Sequence, residues 1–431
     1  MACYSLDHGK RFAEGETSGD MNTRFHDTAT AYRMHRAVTN EAEAISKAVC
    51  EYAAADLRLT RNHLRVLDAG TGDGQVLKGV AEYLLLNHRG RPCEMLLKEY
   101  DFHHIETLLQ NIAPLLRRSP RLSLFVTNRV FRQLKEFPAD LCSANTVCFD
   151  DIAGYRLSAM AGTAAVLGQD DSPRLSFIRP GEQIRQESEA YPVMPSNDLW
   201  GGERALLSGA FSPAATPALT ALGDEIRARE IFDEWAAAGG KSKHFTVTVT
   251  RQDGGIVDGG EIREFFWDLA IVSHAFNRDK EPSWVCRNIL LPLSDGLSVG
   301  GMLINVHAVA GGQVSELKET IFGDQFSFHT SPEGLVGALE SALDPDRFQL
   351  LPHRRVAYRS HITGELFSSV EPWERELMLS QLAISVAYHL QIPDDAWVPY
   401  SDAIEAKIQQ LLERDGRLEY ALSIAGVKRR E

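Results

Sequence analysis

Short apolar runs alternate with longer amphipathic stretches in the first third of the chain. Apolar runs of strand length begin at Leu64, Cys93 and Arg121, and residues 75–86 and 102–117 between them have apolar positions at helical spacing. Strands that alternate with helices favour a parallel sheet covered by helices on both faces. The pattern predicts an α/β protein.

The same alternation resumes in the last third of the chain. Predicted strands and helices follow one another at 267–274, 283–293, 297–307, 348–360, 371–392, 401–413 and 415–426. The first of these segments is an apolar run, Trp267 to Ser273, followed by His274. We interpret this part as the second half of the same sheet, with helices before its closing strand.

Two further regions complete the predicted domain organisation. Residues 1–60 form an N-terminal helical cap, and residues 61–139 form the first half of the sheet domain. Residues 140–262 are rich in Pro and Gly, and we predict an insertion that serves as a lid or substrate wall. Residues 263–431 form the second half. A run at 244–250 is a rival for the third strand, and both alternatives stay open.

A glycine-rich loop follows the first predicted strand. The strand ends on Asp68, and Gly70, Gly72 and Gly74 follow at alternate positions, with Thr71 among them. Glycine lets the backbone turn sharply and lets a ligand approach closely. The spacing differs from the G-x-G-x-x-G of dinucleotide-binding proteins, and the acidic residue disfavours a pyrophosphate. A dehydrogenase is therefore disfavoured.

This D-x-G-x-G-x-G loop resembles the first motif of class I S-adenosylmethionine (SAM)-dependent methyltransferases. The segment 267–277 and the Gly300-Gly301 turn into the next strand resemble that family's fourth and fifth strands. The resemblance implies a Rossmann-like seven-stranded methyltransferase sheet with helices on both faces, plus the inserted domain. The antiparallel final strand pair and the helices before it are similar to small-molecule methyltransferases such as the histamine type.

The resemblance also implies SAM as the cofactor and a set of residues that hold it. The implied set comprises Asp68, Gly70, Thr71, Gly72, Gly74, Glu99, Tyr100, Asn128 and Ser273. Glu99 ends the second predicted strand, where a carboxylate accepts hydrogen bonds from both ribose hydroxyls. Tyr100 would lie against the adenine, and Asp101 competes for the ribose. Asn128 stands where the family has Asp beside the adenine amino group.

Three side chains are candidate catalytic residues: His274, His307 and Tyr32. The two histidines end the predicted fourth and fifth strands, at the sheet edge where open α/β sheets bind ligands. Histidine has a pKa suited to removing a proton from an acceptor. The alternative is that His274 only shapes the pocket. Tyr32 covers SAM or touches the acceptor, and the sequence does not separate these two roles.

The composition of the chain limits the kinds of partner that we expect it to bind. The chain of 431 residues has 45 Lys and Arg against 59 Asp and Glu, a net charge of −14. This charge argues against a nucleic-acid substrate and favours a small-molecule acceptor. None of the six cysteines forms a C-x-x-C pair, so we expect no metal site. The absence of a signal sequence and of long apolar segments predicts a cytoplasmic protein that does not contact membranes. A monomer and a homodimer both remain open.

The sequence thus predicts a methyltransferase that acts on N or O of a small molecule. A SAM-binding enzyme that performs cyclisation or decarboxylation is one alternative, because the insertion matches nothing familiar. A catalytically inactive binding module is another. It is disfavoured because the glycine loop is intact and Glu99 is present.

Overall fold

The computed structural model describes six continuous stretches and several shorter ones. The continuous stretches are residues 29–88, 91–99, 266–276, 280–323, 330–392 and 398–430. The shorter ones are residues 108, 111, 112, 115, 119, 122–127, 134, 146–149, 174–179 and 247–251. Tyr100, Asp101 and Asn128, which were predicted to contact SAM, lie outside the described residues.

Ten strands run through these residues. They are β1 Leu64–Ala69, β2 Cys93–Lys98, β3 Leu122–Thr127, β4 Thr146–Phe149, β5 Arg174–Arg179, β6 Val247–Arg251, β7 Trp267–Ser273, β8 Leu297–Val309, β9 Phe348–Thr363 and β10 Arg417–Arg429. All ten belong to one sheet, in the order β6-β5-β4-β3-β2-β1-β7-β8-β10-β9. Neighbouring strands are parallel from β6 to β8, and β10 is antiparallel to both β8 and β9.

Helices connect the strands and cover the sheet. They are α1 Ala29–Val38, α2 Glu41–Asp56, α3 Gln75–Asn87, α4 Pro282–Val285, α5 Leu291–Asp295, α6 Gly312–Phe322, α7 Pro332–Ala342, α8 Gly364–Ser369, α9 Pro372–Leu390 and α10 Ser401–Asp415. A π-helical stretch, Cys286–Leu290, joins α4 to α5, and a short 3-10 helix, Val398–Tyr400, precedes α10. Among these helices, none is long and apolar enough to cross a bilayer.

Seven of the strands confirm the predicted α/β, Rossmann-like fold class. The order β3-β2-β1-β7-β8-β10-β9 has five parallel strands and a final antiparallel pair, as the resemblance implied. Of the two rivals for the third strand, Leu122–Thr127 pairs with β2, whereas Val247–Arg251 lies at the outer edge of the sheet.

The predicted insertion contributes three strands beyond the seven. β4, β5 and β6 continue the sheet in parallel from β3, so the described part of 140–262 widens the sheet. The role of this insertion as a lid or substrate wall stays a prediction.

Two apolar clusters fill the space on either side of the sheet. One joins α1, α2, α3, α9 and α10 to the face that carries Val66, Ile271 and Val306. The other packs the segment 282–295 and α7 against the face that carries Leu67, Val272 and Leu303. The carboxyl ends of β1, β2, β7 and β8 lie at one edge, which α1 and α2 approach from the first face.

Candidate active site

The glycine loop has backbone conformations that few other residues adopt. The φ angles of Gly70, Gly72 and Gly74 are +82°, +56° and +74°. The amides of Gly70 and Thr71 donate to the carbonyl oxygen of Lys98, at 2.9 and 3.3 Å. The loop therefore lies across the ends of β1 and β2, which is the ligand-binding edge of such sheets.

The loop also contacts the residues that follow β7. A Cβ built on Gly70 would lie 2.8 Å from the carbonyl oxygen of Ser273 and 3.2 Å from the Cβ of Ala275. The side-chain oxygen of Ser273 is buried and has no hydrogen-bond partner among the described residues. The structure therefore brings Ser273 and the turn at His274 against the loop.

Glu99 lies beside the loop, after the end of β2. Its side chain is 3 % exposed, and one carboxylate oxygen accepts a hydrogen bond of 2.7 Å from the amide of Gly72. The two oxygens of a carboxylate together offer about four acceptor positions. Glu99 therefore lies where the resemblance requires a ribose ligand, and its contact with a sugar stays a prediction.

Asp68 is a buried carboxyl group without a hydrogen-bond partner among the described residues. The residue is 1 % exposed, and neither oxygen is bonded. Burial and the nearby charge of Glu99 raise the pKa of Asp68 to about 7, and the charge of Arg36 opposes the rise. Buried carboxyl groups in proteins are nearly always paired, so a carboxyl group without a partner among the described residues requires an explanation.

Tyr32, a predicted site residue on α1, closes over the glycine loop. Its hydroxyl donates to Oδ1 of Asp73 at 2.9 Å and accepts a hydrogen bond of 3.2 Å from the Asp73 amide. A Cβ on Gly72 would lie 2.5 Å from the same hydroxyl oxygen. Burial raises the pKa of Tyr32 above its ordinary value, so the hydroxyl is protonated at neutral pH.

A buried ion-pair cluster lies next to Tyr32. Arg36 Nη1 is 3.0 Å from Oε2 of Glu41, and His274 Nε2 is 3.1 Å from Oε1 of the same carboxylate. Burial on its own would raise the pKa of Glu41, but the charges of His274, Arg36 and His35 together hold it well below its ordinary value. Glu41 is therefore an anion at neutral pH.

Aromatic and histidine side chains extend this cluster toward β9 and α9. The hydroxyl of Tyr358 lies within hydrogen-bonding distance of His35 Nε2 at 3.1 Å and of His389 Nδ1 at 2.8 Å. His35 Nδ1 is 2.8 Å from the hydroxyl of Ser385, which in turn is 3.1 Å from that of Tyr420. This network joins α1 to α9 and to the antiparallel strands β9 and β10 at one end of the sheet.

His35, Glu41 and His389 are close enough together to suggest a metal site. Their ligand atoms lie within 4.8 Å of one another, and all three side chains are buried. However, Arg36 already neutralises Glu41, and the Tyr358 hydroxyl contacts both histidines. These contacts favour a hydrogen-bonded core over a cation site.

His307 lies apart from the cluster of Tyr32, Glu41 and His274. Its Nδ1 is 3.2 Å from the Asn305 amide nitrogen, and its ring is 5.7 Å from that of Phe276. Because side chains alternate along a strand, His307 on β8 points to the face opposite Val306 and the Glu41 cluster. The structure thus brings Tyr32, His274 and the glycine loop together and leaves His307 on the other face.

The sequence did not single out Arg36, Glu41 or Asp73. Asp73 lies inside the glycine loop, so its position was an available signal. Arg36 and Glu41 carry no motif, and Glu41 is 233 positions from its partner His274. Only the tertiary packing of α1 and α2 shows their place in the site.

Comparisons with known proteins give distant similarities. No family model matches the chain, and no curated protein matches it. The solved structures include an rRNA methyltransferase from Streptomyces viridochromogenes, at 13% identity and a TM-score of 0.22, covering 61% of this chain and 72% of that one.

Two structures of phosphoethanolamine N-methyltransferase 2 from Haemonchus contortus also match at 13% identity. The complex with S-adenosyl-L-methionine has a TM-score of 0.21 and covers 90% of this chain and 99% of that one. The complex with phosphomonomethylethanolamine and S-adenosylhomocysteine has a TM-score of 0.20 and covers 89% and 99%. Scores this low support no argument about this chain, so the proposals below rest on its own residues.

Proposed function

We propose that this protein is a SAM-dependent methyltransferase that transfers a methyl group to N or O of a small molecule. The observation that carries the proposal is the buried carboxyl group of Asp68 near the end of β1, which has no hydrogen-bond partner among the described residues. A ligand that supplies a cationic partner would account for such a group.

Arg36 supports the choice of an amino-acid ligand. Its side chain is buried, its Nε has no hydrogen-bond partner among the described residues, and its charge acts on Asp68. A carboxyl group and a guanidinium close together are complementary to the α-amino and α-carboxylate groups of a zwitterion. The methionine part of SAM is such a zwitterion.

The acids around the loop support a nucleoside without phosphates. The carboxylate of Glu99 is chemically suited to a cis-diol, whereas Asp68, Asp73 and Glu99 together would repel a pyrophosphate. The net charge of −14 likewise disfavours a polyanionic acceptor. SAM and a small acceptor suit these charges better than NAD or RNA.

Methyl transfer needs little from the protein beyond alignment and exclusion of water, because the sulfonium is already activated. The acceptor atom attacks the methyl carbon, the S–CH₃ bond breaks, and its electron pair stays on sulfur, giving S-adenosylhomocysteine (SAH). Tyr32 closes over the loop, and His274 stands at the end of β7 where we expect the acceptor.

Isothermal titration calorimetry with SAM, SAH and NAD tests the cofactor. We expect SAM and SAH to bind and NAD not to bind. Asp68→Asn should weaken the binding of SAH by at least about tenfold, because one hydrogen bond to a charged group contributes about 1.5–3 kcal/mol. Glu43→Gln, on the exposed face of α2, is the matched control. Failure of both SAM and SAH to bind would refute the proposal.

Mass spectrometry of turnover mixtures tests the reaction. The wild-type chain, SAM and a panel of primary amines, phenols, carboxylates, thiols and a short RNA hairpin are incubated together. We expect SAH and a methylated small molecule. Methylthioadenosine without a methylated product would instead indicate the non-methylating alternative, and methylation of the hairpin alone would contradict a small-molecule acceptor.

A further inference from the structure

Glu41 is a buried anion with a defined geometry toward His274. It is the first residue of α2, where the positive end of the helix dipole stabilises a carboxylate. One of its oxygens lies 3.1 Å from His274 Nε2, and the other lies 3.0 Å from Arg36 Nη1. Arg36 thus fixes the carboxylate, and the carboxylate faces a specific nitrogen of the imidazole.

The backbone at His274 is held in an uncommon conformation. Its φ is +51°, in the left-handed region that few residues other than glycine adopt, with Asn, Asp and His the most frequent of them. Its amide donates to the carbonyl oxygen of Val306 at 3.0 Å. Strain of this kind persists where the surrounding structure requires it, and it concentrates at functional sites.

The turn at His274 is also in contact with the loop assigned to SAM. Gly70 approaches the carbonyl oxygen of Ser273 and the Cβ of Ala275, the two neighbours of His274. An imidazole at this point stands beside the cofactor site, at the carboxyl end of β7. Its side chain is 11% exposed, so it is not sealed in the core.

We infer that Glu41 and His274 form a carboxylate–imidazole dyad in which His274 removes a proton from the methyl acceptor and Glu41 positions the ring. This inference rests on the proposed methyltransferase function. The Glu41 oxygen 3.1 Å from Nε2 favours the tautomer with its proton on Nε2, which leaves Nδ1 as the basic nitrogen. Glu41 acts through His274 and is a positioning residue.

The dyad specifies a class of acceptor. The acceptor atom, an ammonium N or a hydroxyl O, gives its proton to Nδ1 and attacks the methyl carbon; the S–CH₃ bond breaks, SAH leaves, and the proton passes from Nδ1 to water. Carboxylates are already deprotonated at neutral pH, and thiols lose their proton more readily than ammonium, phenol or alcohol groups, so a base helps them least. The dyad therefore favours amines and phenols or alcohols as substrates.

Several charged and titratable groups surround the dyad and act on the same titration. They are Tyr32, His35 and Arg36 on α1, Asp68 and Asp73 in the loop, Tyr388 and His389 on α9, and Tyr420 on β10. Glu41 is the carboxylate of this group that contacts the His274 ring. Its removal should therefore change the titration of that ring most.

NMR of histidine-labelled protein bound to SAH tests the dyad. The ring signals of His274 are identified by their absence in His274→Gly, and they are followed through a pH titration in wild type, Glu41→Gln and Glu43→Gln. Above the titration midpoint we expect the neutral Nε2–H tautomer in wild type. The titration midpoint should be lower in Glu41→Gln, because the anion stabilises the imidazolium, and unchanged in Glu43→Gln.

Turnover gives a second measurement that a purely structural role would not affect. With an amine or phenol acceptor, Glu41→Gln should lower kcat by about 10- to 100-fold and move the acidic limb of its pH profile to lower pH. Added imidazole should restore part of the activity of His274→Gly, whose missing side chain leaves space for it.

The outcomes separate this inference from the proposed function. Equal midpoints and tautomers in wild type and Glu41→Gln, with SAH binding intact, would overturn the dyad and leave the methyltransferase proposal standing. Turnover of thiols alone, unaffected by His274→Gly, would also overturn it. If the wild-type chain binds neither SAM nor SAH, the proposed function itself is refuted.

Discussion

The hydroxyl of Tyr32 lies 2.9 Å from Oδ1 of Asp73, and the Asp73 amide donates back to the same hydroxyl. This reciprocal pair joins the N-terminal helix α1 to the glycine loop. A residue that precedes the first strand thus forms hydrogen bonds with the loop that follows that strand.

Gly72 is where this contact is tightest. Gly72→Ala adds a Cβ 2.5 Å from the Tyr32 hydroxyl at a φ of +56°. We expect SAH affinity to fall by more than about 100-fold, because the tyrosine must move and the left-handed backbone costs roughly 1–2 kcal/mol. Calorimetry measures this loss.

Gly337→Ala on α7 is the matched control. A Cβ there meets nothing within 4 Å, so the change should raise stability by about 0.5–1 kcal/mol and leave SAH affinity unchanged. Tight SAH binding by Gly72→Ala would contradict the placement of the cofactor.

Asp68 should give the unliganded protein a distinctive pH dependence. Burial and Glu99 raise its pKa from 3.8 to about 7, so its contribution to stability is fully present below about pH 4 and is lost as the pH rises through about 7. At about pH 8, Asp68→Asn should therefore unfold at a higher temperature than wild type, by several degrees. Thermal scans of both proteins from about pH 4 to 8 measure the difference.

The same residue should make cofactor binding depend on pH in the opposite sense. The ionised form of Asp68 binds an ammonium group, so SAH affinity in wild type should weaken as the pH falls below about 7, approaching tenfold per unit. Asp68→Asn should bind weakly with no such slope. A wild-type affinity that is constant from about pH 6 to 8 would argue against Asp68 as the amino-group ligand.

Tyr358 should be essential to the stability of the cap. Tyr358→Phe removes a buried hydroxyl that lies within hydrogen-bonding distance of both His35 Nε2 and His389 Nδ1. We expect a loss of about 1–3 kcal/mol in the free energy of unfolding. Denaturant titration measures it, and Tyr400→Phe at an exposed position should show no change.

Backbone strain at His274 should distinguish two small substitutions. At a φ of +51°, His274→Gly should be more stable than His274→Ala by about 1 kcal/mol, since only glycine adopts this region freely. Gln391→Gly, at a φ of +52° where α9 ends, should be more stable than Gln391→Ala for the same reason and should leave activity unchanged. Equal stability of the two His274 variants would show that the turn relaxes.

The periodic segments were predictable from sequence because their apolar patterns reflect burial in a single sheet. The strands at 64–69, 267–273 and 297–309 and the glycine loop fall where the pattern placed them. Of the three short strands of the insertion, the run at 244–250 was predicted as a strand but not placed at the sheet edge, and those at 146–149 and 174–179 were not predicted, because runs of four to six residues carry little periodicity.

The candidate site was predictable only where a local motif marks it. Asp68, the glycines and Glu99 follow strand ends, so their common location follows from the topology. Glu41 and Arg36 come from helices that pack across the edge, and no local pattern links Glu41 to His274. Contacts between residues far apart in sequence are fixed by tertiary packing.

The close approach of Gly70 to Ser273 and Ala275 has a kinetic consequence. Gly70 leaves so little space beside Ser273 and Ala275 that even an added Cβ would clash, so we expect movement of the loop to displace the turn at His274. Binding of the nucleoside to the loop would therefore also order the His274 imidazole. The methyl acceptor would find a complete binding site only after the cofactor has bound. We therefore expect steady-state ordered addition, with SAM first and SAH the last product to leave.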